Sequence, residues 1–207
     1  NAGVAAHALG DVEEAERLLL TAVHHHRNHR PSRDSLARMW ASRDMIDDLR
    51  KVAASADWKA ALAPEAIEIV AAALQRGGDH SGAMALLAEL YAQCPDNAAL
   101  LLRMGQCALA AERFDIAREQ YQAYLDRGGK SDEALIGLGR ALLGQHGAVK
   151  AHEYWQAARA AFEAVGQASP AHSKALLHLA EMAEGDGDFA EAERIYRRVL
   201  VSDPASI

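Results

Sequence analysis

Apolar residues return along this chain at helical intervals, the spacing that lines one face of a helix. Leu36, Trp40, Ile46, Leu49 and Ala56 keep it in one segment, Leu101, Met104 and Ala108 in another, and Leu176, Leu179 and Ala180 in a third. No stretch shows the sustained alternation of β-branched and polar residues that marks a strand. Prolines at positions 31, 64, 95, 170 and 204 leave stretches long enough for pairs of helices between them. The pattern therefore predicts an all-α protein.

The pattern also repeats. Ala83 and Ala117 stand 34 residues apart, each within a phrase of helix, short polar turn and second helix. Leu87 and Tyr121, Leu90 and Tyr124, Ala71 and Gly105, and Val70 and Met104 keep the same separation. Two periods before Ala83 lies Ala15, in the phrase Gly10-Asp11-Val12-Glu13-Glu14-Ala15, and its counterpart is Gly187-Asp188-Phe189-Ala190-Glu191-Ala192.

These residues resemble the tetratricopeptide repeat. Leu176, Leu179, Ala180, Gly187, Phe189, Ala192, Tyr196, Val199 and Asp203-Pro204 follow its pattern through a whole unit. Leu101, Met104-Gly105, Ala108, Phe114, Ala117, Tyr121 and Tyr124 follow it through another, and Cys94-Pro95 takes its closing position. The resemblance implies a right-handed superhelix, an α-solenoid of antiparallel helix pairs. Small residues such as Gly105 and Ala117 belong where two helices cross closely, and Phe114 and Phe189 are expected to plug the space between pairs.

The expected units are 1–30, truncated; 31–62, without the small-residue signature; 63–96; 97–130; 131–171; and 172–207. In the unit 131–171, seven extra residues precede Ala158, Phe162 and Pro170. Seven residues lengthen a helix by about 10 Å while turning its apolar face by only about 20°. We expect a turn at Gly144-Gln145-His146-Gly147 and an overlong helix from Ala148 to Val165. The chain opens part-way through a helix and stops as a unit closes, which predicts that more chain, or association of copies into a homo-oligomer, covers its ends.

Composition narrows the function. Half of the residues are apolar but only 5% are aromatic, as suits closely packed helices. A net charge of −7, from 22 Lys+Arg against 29 Asp+Glu, argues against a nucleic-acid partner. No run reaches the length needed to cross a bilayer. Two cysteines, Cys94 and Cys107, are too few for a disulfide framework; the compartment stays open, with the cytoplasm favoured.

Nothing marks an enzyme: nucleotide-binding glycine loops, HExxH and GxSxG are absent from the sequence, and no cofactor is implied. His25 and His29 have the spacing that turns two imidazoles toward one metal on a helix, but a third ligand is missing, and the run from His24 to His29 reads as a polar helix end, not a metal site.

In proteins with this repeat the first helix of each pair lines the concave surface. That places Leu102, Arg103, Gln106, Leu109, Ile136, Arg140, Leu143, Leu177, His178 and Glu181 in a groove, aliphatic with a positive edge, suited to a peptide or helix of a protein partner, unless some of the leucines pack within the superhelix instead. Chaperone tails are held in some members by lysines and asparagines, where this chain has Glu68, Leu102, Ala72 and Gln106, so that ligand is rejected. Tyr154 and Trp155, on the projecting start of the long helix, form a second expected partner surface; the alternative is that Trp155 packs on the neighbouring unit. The function implied is a scaffold or adaptor; the alternative is a substrate-recruiting module of a larger bacterial enzyme or of a secretion or assembly system.

Overall fold

The computed structural model describes residues 11–26, 29–149 and 151–202. Among these, twelve α-helices follow one another with no strand: α1 Val12–His25, α2 Arg30–Ser42, α3 Ile46–Ala54, α4 Ala56–Ala61, α5 Pro64–Arg76, α6 His80–Gln93, α7 Ala98–Ala110, α8 Phe114–Asp126, α9 Asp132–Val149, α10 His152–Glu163, α11 His172–Gly185 and α12 Phe189–Ser202. The chain divides into two units, with the boundary between Leu100 and Leu101 inside α7. In the first, α2 packs on α1 and α5, α3 on α6, and α5 on α6, around Leu36, Leu49, Val52, Ile67, Leu74, Leu86 and Leu87. In the second, α9 packs on both α8 and α10, and α11 on α12, around Ala117, Tyr121, Phe162, Leu176, Ala180 and Val199.

The period is written in the backbone of the turns. Asp44, Gly78 and Glu112, 34 residues apart, all adopt positive φ, at 50°, 78° and 56°. The residue after each donates its N–H to a carbonyl five positions back: Met45 to Trp40, Asp79 to Leu74 and Arg113 to Ala108, at 3.0, 2.8 and 2.8 Å. This is the Schellman closure, which satisfies carbonyls that a helix end leaves open. Gly187, at φ 79°, makes the same turn, and Asp188 bonds back to Ala183. Asp79 and Asp188 then cap the following helix by accepting from the backbone N–H of Gly82 and Glu191. The segment lacking the small-residue signature thus still makes the turn, with Asp44 where Gly78 stands one period later.

Two expectations about this architecture are corrected. The expected turn at 144–147 does not form: α9 runs unbroken for 18 residues, whereas α10 has only 12. The inserted residues lengthen the first helix of the pair, and the second helix starts only at His152. Gly144 can sit within α9 because the Phe114 ring packs over it, filling the space a side chain would need. Tertiary contact there outweighs the roughly 1 kcal/mol by which glycine disfavours a helix interior.

Phe189 is the second correction, since it is 70% exposed instead of plugged between pairs. Phe114 is covered by the helix that follows its own, and no described helix follows α12. The expected helix remnant at 1–10 and the closing Asp203-Pro204 lie outside the described residues.

Candidate functional site

A cavity of about 600 Å³ opens in the second unit along α7, α9 and α11, the first helices of their pairs. Leu109, Ile136 and Leu177 give it an apolar floor. Gln106, Arg140, His178 and Glu181 stand around that floor. The loop Ser169-Pro170-Ala171 and Lys174 close one side, and Ser131, Asp132 and Glu133 another. Seven of the ten groove residues expected from the sequence meet here. Leu102, Arg103 and Leu143 are half-buried on α7 and α9 and lie outside the lining.

The floor owes its shape to one aromatic ring. Tyr121, on α8 and only 2% exposed, reaches between α7 and α9, where Gly105 and Gly137 leave room for it. A Cβ on Gly105 would come within 2.9 Å of the ring, and one on Gly137 closer still. Burial holds the Tyr121 hydroxyl protonated, pushing its pKa up to about 12 despite the opposing charge of Arg140.

Charges of both signs border the opening, with Arg140 and Lys174 against Asp132, Glu133 and Glu181. His178 is fixed on two sides: its ring stacks on Phe162 at 4.9 Å, and its Nδ1 lies 2.9 Å from Glu181 Oε2. The arrangement offers apolar burial flanked by placed charges.

The projecting start expected for the second partner surface is corrected, and the alternative packing of Trp155 is what forms. Trp155 does not stand on a projecting helix; it is half-buried and packed toward α11. Its indole N–H donates to Asp186 Oδ2 at 3.2 Å, its ring lies 5.1 Å from that of His146, and Gly185 sits beneath it. Arg159 binds the same carboxylate at 2.9 Å. Tyr154 instead lines a separate groove of about 810 Å³ between α8 and α10, floored by Leu135, Leu138 and Leu142 of α9. The sequence reading missed this groove, although Ala157, Ala160, Ala161 and Ala164 already marked it as a small-residue face at helical spacing.

The histidine run is divided by a helix end. His25 is the last residue of α1, whereas His29 precedes α2 and contacts Ser32 Oγ at 2.8 Å, so the two do not share a helix face. Among the described residues no three metal-ligating side chains converge, and no helix is long and apolar enough to cross a membrane.

Paired helices with Schellman-closed turns at a fixed period, and glycines against Phe114, Tyr121 and Phe162, define a helical-repeat scaffold for protein interaction. Models of the tetratricopeptide repeat match residues 74–135 and 146–207, and the chain belongs to that family. No curated protein matches it in sequence.

Solved structures share the fold at low identity. MamA 41-end from Desulfovibrio magneticus RS-1 is 19% identical at a TM-score of 0.56, over 100% of this chain and 93% of that one. YrrB, described as a tetratricopeptide protein with an unusual peptide-binding site, is 14% identical at 0.63, over 91% and 93%. MamA MSR-1 C2 is 17% identical at 0.63, over 86% and 98%.

Proposed function

We propose that this chain is a non-catalytic adaptor that holds a peptide or helix of a protein partner in the cavity along α7, α9 and α11. The observation carrying this reading is the convergence of Leu109, Ile136 and Leu177 with Arg140 and Lys174 around one open cavity on the first helices. Apolar side chains of the ligand enter the floor, where burial contributes roughly 25 cal/mol per Å². A ligand carboxylate facing Arg140 or Lys174 then sets direction, because a misplaced charge loses its partner on entering the cavity. The peptide-binding description of YrrB, which shares the fold, lends support by analogy.

A peptide library displayed on phage and selected on the chain tests this. Selected peptides should combine aliphatic or aromatic residues with an acidic one. Their binding should fall at least tenfold in Arg140→Glu and in Leu177→Glu, while helical circular dichroism is unchanged. Peptides that bind both folded variants as they bind the parent would overturn the assignment.

A further inference from the structure

Two surfaces of the second unit play no part in the concave cavity. One is the groove between α8 and α10, whose wall on α10 is exposed at Ala157, Ala160 and Ala164. Only methyl groups there separate an incoming helix from the leucine floor, so its backbone can approach closely. The rim carries Glu119, Asp126 and Glu153 against Arg118, a net charge of −2.

The other surface is the outer face of α12. Phe189, Leu200 and Val201 on this helix are 70%, 47% and 86% exposed. Between them lie Arg194, Arg197 and Arg198, and α12 as a whole nets +1 after Glu191 and Glu193 are counted. Arg194 and Arg197 are paired with those two glutamates at 2.6 Å, but such exposed pairs within a helix are worth little and exchange readily. Phe189 and Leu200 are 11 residues apart, which puts them on one face about 16 Å from each other. The α10 wall from Glu153 to Ala164 has the same length.

We propose that the α8–α10 groove receives α12 of a second copy of this chain. Phe189 at one end and Leu200 at the other enter the leucine-floored trough, while Arg197 and Val201, about 60–120° further round the helix, meet its acidic rim. The two patches differ, so the contact is heterologous, and copies add head to tail instead of closing as a symmetric pair. The association is independent of peptide capture in the concave cavity.

Analytical ultracentrifugation of the 207-residue chain tests the proposal, with Ala160→Glu altering the groove and the pair Phe189→Glu, Val201→Glu altering α12. All three positions are exposed, and circular dichroism verifies folding. The parent chain should grow beyond dimer as concentration rises and dissociate as salt screens the rim. Each altered chain alone should be monomeric, while an equimolar mixture of the two should form a 1:1 dimer and nothing larger, because one good contact remains per pair. As a second measure, a peptide of residues 188–202 should bind the parent at least tenfold more tightly than it binds Ala160→Glu. A parent that stays monomeric at every concentration, an Ala160→Glu chain that associates normally, or a mixture that fails to dimerise would each overturn it, leaving the groove to a helix of another protein.

Discussion

The Tyr121 ring occupies the space that a side chain on Gly137 would need. Gly105 confines the same ring from α7, so one aromatic on α8 sets the approach of the first helices on both sides of it. Replacing either glycine forces a rigid, buried ring to move.

Gly137→Ala should therefore destabilise the second unit by about 1–3 kcal/mol, as overpacking does in a filled core. Gly147, also within α9, meets no other atom within 4 Å of an added Cβ. Gly147→Ala should instead stabilise by up to about 1 kcal/mol. Urea titrations of both variants check the pair; equal effects would mean that helix propensity, not the Tyr121 contact, governs α9.

Glu112 holds a left-handed conformation that Gly78 adopts one period earlier. Such a conformation costs an ordinary residue roughly 1 kcal/mol, and glycine escapes most of it. Glu112→Gly should raise the melting temperature by a few degrees, and Gly78→Ala should lower it. Differential scanning calorimetry reads both signs.

Burial lifts the Tyr121 pKa from 10.0 to about 12, which makes stability fall at alkaline pH. Between those values the unfolded chain releases the phenolic proton while the folded chain keeps it, so the stabilisation present below pH 10 is lost as pH rises toward 12. The loss amounts to roughly 2–3 kcal/mol. Tyr121→Phe should flatten that part of the profile in denaturant titrations across the range; an unchanged slope would show that other groups cause it.

Phe162 is 1% exposed, whereas Phe189 is 70% exposed. Phe162→Ala should cost about 3–5 kcal/mol, and Phe189→Ser less than about 0.5 kcal/mol. Measured in dilute, monomeric chain, a large loss at Phe189 would mean that its own chain covers the ring.

The helical repeat was legible because its small residues are forced by geometry: Gly105 faces Tyr121, and Ala117 is wholly buried. The repeat also brought together seven of the ten expected groove residues, since positions 34 apart from α7 to α9, and 41 apart across the insertion from α9 to α11, fall side by side. Helix ends were less legible. Gly144 and Gly147 read as a turn by propensity, but Phe114 over Gly144 belongs to another helix, and no local pattern carries that contact. Trp155 misled for a similar reason, because its partner Asp186 lies 31 residues away. The α8–α10 groove escaped notice because alanines at helical spacing describe a buried crossing and an open trough equally well.

The environment of Trp155 gives the protein an optical property of its own. Of its three tryptophans, Trp40 and Trp58 lie together in the first unit with ring centres 5.6 Å apart, and Trp155 stands in the second, bonded to Asp186. Emission from Trp40→Phe, Trp58→Phe chains reports the second unit alone, and emission from Trp155→Phe chains the first. Whether the halves melt in one step or two can thus be followed with no added label.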